Sequence, residues 1–119
     1  MATLKAEGVK NAMLSITFVG RAAMSELNHR YLGHRGPTDV ISFGLGRHGP
    51  RDVVVGDIYI CPEIARANAT RQNVSPGEEL LRLVVHGTLH VLGHDHAEDS
   101  SRTASPMWRK QERILARVI

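Results

Sequence analysis

Residues 86–96, which read HGTLHVLGHDH, are the part of the chain that indicates most about its fold and its functional site. It follows Ser75-Pro76-Gly77-Glu78, a run that predicts a helix start, because serine caps free N–H groups, proline fits the first turn and glutamate completes a capping box. The helix should continue to about Leu92, and Gly93 favours the left-handed conformation that ends many helices. Apolar residues occupy nearly every side of it from residue 80 onward, so we expect it to be buried at the centre of the fold.

Three histidines in this stretch have the spacing of metal ligands. His86 and His90 lie four residues apart, one above the other on a helix, and a chain reversal at Gly93 can bring His96 to the same ion. Buried imidazoles without partners would cost about 1–3 kcal/mol each, and a shared metal removes that cost. Three protein ligands leave a fourth position for water, as in catalytic zinc sites. We predict one zinc ion per chain, although three imidazoles also suit nickel or iron.

The residue after the first histidine limits the chemistry. The spacing resembles the metzincin peptidase pattern His-Glu-x-x-His-x-x-Gly-x-x-His, but Gly87 stands where those enzymes carry a glutamate base. A bound ion would still lower the pKa of water toward about 7. We therefore expect hydrolysis by a metal-activated water, with Gly87 leaving space for a phosphate, and we assign no catalytic side chain. Between the ligands, His94 is expected to be a loop histidine, and Asp95 either holds a ligand histidine or caps the turn.

The rest of the chain predicts strands and helices in a single domain. Alternating or β-branched apolar residues predict strands at 13–19, 40–45 and 53–60. Helical spacing predicts helices at 21–32, 63–72 and 104–118, with loops at 33–38 and 46–52. Strands come mainly first and helices mainly last. We expect one domain over residues 1–119, of the α/β or α+β class, with a single sheet backed by helices.

Composition restricts the partners and the compartment. The net charge is +3 and twelve of the fifteen basic residues are arginine, which fits an RNA or phosphate partner but also an ordinary solvated surface. The aromatic content of 4% argues against a platform for stacked bases. The single cysteine, Cys61, excludes an internal disulfide and suits a reducing cytosol. Without an apolar span or a signal sequence, we expect a cytoplasmic protein that binds neither membrane nor DNA.

Three segments resemble one known family. Residues 86–96 match His-Gly-x-Leu-His-Leu-x-Gly-(Tyr/His)-Asp-His, with Val91 as a conservative replacement. Leu27-Asn28 and residues 37–43 match Leu-Asn…Pro-Thr-(Asp/Asn)-Val-Leu-Ser-Phe, and residues 56–61 match Gly-Asp-Ile-x-Ile-Cys. From about residue 15 to the C-terminus the chain thus resembles the YbeY family of bacterial rRNA maturation factors, which are zinc-dependent endoribonucleases.

The resemblance implies a fold and a function. The fold would be a roughly four-stranded mixed sheet surrounded by helices, zincin-like, with the two-histidine helix at its centre. The function would be cleavage of single-stranded RNA in rRNA maturation, ribosome assembly and ribosome quality control, with ribosomal RNA and the small subunit as partners. The matched zinc ligands are His86, His90 and His96.

The chain also departs from the family pattern. Leu32 stands where the family commonly has an arginine thought important for activity, and Arg30 or Arg35 could replace that arginine in space. Arg35 also replaces the acidic residue usual before Pro37, and the segment before the first strand is shorter than usual.

Two other functions remain open. One is a zinc hydrolase of another class, such as a peptidase, which the histidine spacing permits and Gly87 opposes. The other is a ribosome-assembly binding module with a structural metal, which Leu32 favours. Asp57 either turns toward the metal or occupies a bulge or edge position beside Gly56. Ser42 has no adjacent histidine or acid that would make it a nucleophile.

Overall fold

A computed structural model describes residues 1–94 and 105–119. Five helices and three strands are present in these residues, in the order α1 Ala2–Ala6, β1 Ala12–Phe18, α2 Arg21–Leu32, β2 Val40–His48, β3 Val53–Ile60, α3 Pro62–Gln72, α4 Pro76–Val91 and α5 Pro106–Leu115. The chain is therefore an α+β domain, as predicted. None of the described helices has the length and apolar composition needed to cross a membrane.

The sheet is mixed and has β3 at its centre. Its strand order is β1-β3-β2, with β1 parallel and β2 antiparallel to β3. The expectation of roughly four strands is wrong for the described residues, because the segment before β1 forms the short helix α1 rather than another strand. β2 continues three residues beyond the predicted Leu45, past an irregularity in the ladder between Gly44 and Arg47.

The central helix α4 packs across one face of the sheet. Alternate residues of β3 are buried, and Ile58 and Ile60 form a core with Leu83 and Val91 of α4. Gly44 of β2 permits this close packing, since a Cβ atom there would lie 3.1 Å from the carbonyl oxygen of Val91. A second apolar cluster joins α4 to α5 through Val85, Leu89, Met107 and Ile114.

The opposite face of the sheet is covered less completely. Met24 of α2 packs with Ile41 and Cys61, and Phe43 and Tyr59 border this cluster. The edge strand β1 was expected to be half-buried, with Leu14, Ile16 and Phe18 on its inner face. Ile16 and Phe18 are instead 38% and 58% exposed, because β1 has a partner strand on one side only and no described helix covers its end.

Candidate metal centre and adjoining cleft

Helix α4 brings the first two predicted ligands together. The ring centroids of His86 and His90 lie 4.6 Å apart, with the ring planes at 74°. His86 is buried and His90 is half-buried. The helix begins as predicted, with the Ser75 hydroxyl accepting a hydrogen bond from the Glu78 backbone N–H. Gly93 follows the helix with a φ of 99°, a conformation that costs glycine little.

The third predicted ligand, His96, lies outside the described residues, as does Asp95. In the residues that are described, no group of three His, Cys, Asp or Glu side chains is close enough to hold a metal ion. The described part of the site is therefore a pair of adjacent imidazoles on one helix.

Gln111 of α5 contacts the first of these imidazoles. The Nδ1 atom of His86 lies 2.6 Å from the Oε1 atom of Gln111, and only 1% of Gln111 is exposed. The same amide donates from Nε2 to Oε2 of Glu112, over 2.9 Å. A residue 25 positions away in sequence thus reaches His86 through the packing of α5 on α4.

A partly buried cluster of ion pairs holds Glu112 in turn. Arg82 donates to both carboxylate oxygens of Glu112, each over 3.0 Å, and also donates to Glu79 and Glu78. Burial alone would raise the pKa of Glu112, but the hydrogen bonds from Arg82 and Gln111 outweigh burial and hold it below its ordinary value. For Glu79 burial prevails over the hydrogen bond from Arg82, and its pKa is raised. We call Arg82, Glu78, Glu79 and Glu112 the Arg82 cluster.

The residues around His86 fit a transition-metal ion. Imidazole nitrogen is a good ligand for zinc. Histidines that bind metals generally have their other ring nitrogen held by a carboxylate, a carbonyl or water, and the amide oxygen of Gln111 provides such a partner at Nδ1. His86 would hold the ion through its other ring nitrogen, Nε2, and His90, on the next turn of α4, would be the second ligand.

Gly87 faces the sheet rather than an open space beside the histidines. A Cβ atom on it would lie 2.8 Å from Cγ2 of Ile58 and 3.0 Å from the Ser42 hydroxyl. The expectation that Gly87 clears room for a phosphate is therefore wrong, because this room is already filled by the strands beneath α4. For the same reason, a glutamate at position 87 would clash with the sheet.

A cleft of about 430 Å³ opens beside His86. Its walls include Gln111 and Trp108 of α5, Asn68 and Arg71 of α3, and the loop before β2. That loop is fixed by two hydrogen bonds, from Asn28 to the Gly36 carbonyl over 2.9 Å and from Asn68 to the Asp39 carboxylate over 3.0 Å. Arg71 is an exposed residue, and its guanidinium donates a hydrogen bond to Oδ1 of Asn68. The cleft thus combines hydrogen-bonding groups with a positive charge beside His86.

Several residues considered from the sequence lie away from this cleft. His94 contacts the carboxylate of Glu7. Asp57 accepts a hydrogen bond from Ser15 and pairs in register with Phe43, on the sheet face opposite α4, so it neither approaches the histidines nor lies in the bulge. Ser42 has no hydrogen-bond partner among the described residues. Leu32, Arg30 and Arg35 are exposed, and none of these three described residues lines the cleft.

Gln111, Arg71 and the Arg82 cluster were not predicted from the sequence. For Gln111 a signal was present, because it occupies the apolar face of α5 between Met107 and Ile114, at helical spacing. A polar residue on a buried face requires a hydrogen-bond partner, and the nearest buried imidazole supplies it. Arg71 carried no such signal, since it is one arginine among twelve.

Known proteins resemble the chain over most of its length. The sequence profile described as "Endoribonuclease YbeY" matches residues 1–119. Proteins named endoribonuclease YbeY from Salinispora tropica and Beutenbergia cavernae are 41% and 46% identical, over 88% and 83% of this chain and 73% and 71% of their own. The solution structure of TM1509 from Thermotoga maritima is 32% identical with a TM-score of 0.64, and the match covers 98% of this chain and 73% of that one. The chain therefore belongs to the endoribonuclease YbeY family.

Proposed function

We propose that this chain is a zinc-dependent endoribonuclease that cleaves single-stranded RNA in ribosomal RNA maturation, ribosome assembly and ribosome quality control. Membership of its family makes it a hydrolytic nuclease. The proposal adds one zinc ion held by His86, His90 and His96 in a zincin-like arrangement, ribosomal RNA of the small subunit as substrate, and the cytoplasm as location.

The observation that carries the proposal is the imidazole pair of His86 and His90 on the buried helix α4, with His86 held at Nδ1 by Gln111. Side chains four residues apart lie on the same face of a helix, so an ion bound to His86 would also lie within reach of His90. When bound, the ion would supply Lewis acidity and a water of lowered pKa. Position 87 offers no carboxylate base, which favours a nuclease over a peptidase of the metzincin type.

The cleft beside His86 would receive the RNA strand. Arg71 is exposed at its wall. Its guanidinium donates one hydrogen bond to Asn68, and its other N–H groups would contact a phosphate. Arg82 has a different role, because three carboxylates surround it and only 8% of it is exposed. It joins α4 to α5 through Glu112, while Asn68 and Asp39 line the cleft and are hydrogen-bonded to each other.

Cleavage of an unstructured RNA by purified, zinc-loaded protein tests the proposal. We expect cleavage to stop with a chelator and to return when zinc is added. The variant His90→Ala should be inactive, whereas His29→Ala, which removes an exposed histidine of α2, should retain full activity. Intact RNA after incubation with zinc-loaded wild type, under conditions where a control nuclease cuts it, would contradict the proposal.

A further inference from the structure

The hydrogen bonds that lead from Arg82 to His86 have a defined direction. An arginine side chain has only donors, and an ionised carboxylate has only acceptors. Both oxygens of Glu112 accept from Arg82, and this pairing keeps the pKa of Glu112 low and the group ionised. Any further hydrogen bond to Glu112 must therefore come from a donor.

That requirement fixes the amide of Gln111. Its two ends differ, since the nitrogen donates and the oxygen accepts. The end that lies 2.9 Å from Oε2 of Glu112 must be the NH₂ group, and the carbonyl oxygen must then face His86. Reversing the amide would place oxygen against carboxylate oxygen on one side, which is repulsive. Because Gln111 is only 1% exposed, water has little access to the amide and would not screen this repulsion.

The protonation of the imidazole follows. An amide oxygen can only accept, so the ring nitrogen 2.6 Å from it must carry the proton. In neutral His86 this nitrogen is Nδ1, and the lone pair then lies on Nε2.

We propose that Gln111 is a positioning residue, oriented by Glu112 and Arg82, which holds neutral His86 in the Nδ1–H tautomer with its lone pair on Nε2. The proposal deepens the proposed function, because Nε2 is then the atom prepared to bind the metal. This chain of hydrogen bonds runs from the guanidinium of Arg82 through the carboxylate of Glu112 and the amide of Gln111 to the imidazole of His86. It joins α4 to α5.

The tautomer can be measured without metal and without RNA. Nitrogen-15 NMR of the metal-free protein, at about pH 8 where a histidine of ordinary pKa is neutral, distinguishes Nδ1–H from Nε2–H. We expect the wild type to show Nδ1–H at His86. The variant Gln111→Met keeps the length of the side chain but removes the acceptor, so the signal should move toward Nε2–H. Arg113→Met, at an exposed position of the same helix, should leave the tautomer unchanged.

A second variant keeps the acceptor but removes its orientation. In Glu112→Gln the new amide can offer either an acceptor or a donor to Gln111, so Gln111 is free to reverse. We expect a mixture of the two tautomers at His86. A wild type with Nε2–H at His86, or an Nδ1–H signal that persists in Gln111→Met, overturns the proposal.

Metal affinity separates this inference from the proposed function. In competition with a chromophoric chelator, Gln111→Met should bind zinc about 10–100-fold more weakly than wild type, the range typical for loss of a residue that supports a ligand histidine. Arg113→Met should bind as wild type does. Equal zinc affinity of Gln111→Met and wild type would overturn the positioning role. A wild type that binds no metal but has the Nδ1–H tautomer would contradict the proposed function alone.

Discussion

Gly87 of α4 and Ile58 of β3 approach so closely that only a residue without a side chain fits between the helix and the strand. Substituting Gly87→Ala should therefore destabilise the fold. Alanine gains about 1 kcal/mol in helix propensity, but an extra methyl group in a packed core costs about 1–3 kcal/mol. Cγ2 of Ile58 can move only by rotation about the Cα–Cβ bond, which would also displace the rest of this fully buried side chain. We therefore expect overpacking to prevail and unfolding by urea to occur at lower concentration.

Two companion variants make this prediction specific. Gly77→Ala lies in the first turn of the same helix, where the nearest atom to a new Cβ is 4.0 Å away, so it should stabilise the protein by up to about 1 kcal/mol. Combined with Ile58→Val, which leaves Cγ2 in place, Gly87→Ala should still lower the stability to a similar extent. Combined with Ile58→Ala, which removes Cγ2, Gly87→Ala should lower the stability less. A Gly87→Ala protein as stable as Gly77→Ala would show that α4 does not lie this close to the sheet.

Glu112 should make the fold sensitive to acid. Its folded pKa lies below the ordinary value of 4.5, so its contribution to stability is present above that value and is lost as the pH falls through the folded pKa. The variant Glu112→Gln should therefore be less stable than wild type near neutral pH, and the difference should shrink as the pH falls below the ordinary pKa of 4.5. Denaturant titrations at several pH values measure this. Glu26→Gln, at an exposed position of α2, should differ little from wild type at any pH, and a Glu112→Gln deficit that does not change with pH would argue against the ion pair.

Arg71 should contribute to RNA binding through a phosphate. We expect Arg71→Ala to weaken binding of a single-stranded RNA and to reduce the slope of log K against log salt by about 0.7, the value for one phosphate contact on a single strand. Fluorescence anisotropy at several salt concentrations measures both quantities. Arg66→Ala changes an exposed arginine of the same helix that does not line the cleft. If the two variants behave alike, the cleft is not where the strand binds.

Much of the secondary structure could be predicted because local signals were strong. The bounds of α2 and β3 agree with those expected, since Gly20 and Gly33 flank the helix and β-branched residues fill the strand. The pairing of His86 with His90 follows from helical periodicity alone. These features are determined by residues close together in sequence, so the spacing of residue types predicts them without knowledge of the tertiary packing.

What could not be predicted depends on contacts between distant elements. The exposure of Phe18 follows from the edge position of β1, which strand alternation does not reveal. The orientation of Gly87 toward Ile58 depends on which face of α4 meets the sheet, and a helix that is apolar on nearly all sides gives no indication of this. Gln111 was detectable as a buried polar residue, but its partner depended on the packing of α5 against α4.

The metal content of the purified protein shows whether His86, His90 and His96 form a zinc site. Protein prepared without chelators and analysed by mass spectrometry of its elements should contain one zinc ion per chain. The variant His86→Ala should lose the metal while His29→Ala retains it, with circular dichroism confirming that both are folded. A folded wild type that contains no transition metal in stoichiometric amount, and takes up none when zinc is added, would show that the three histidines do not form a metal site.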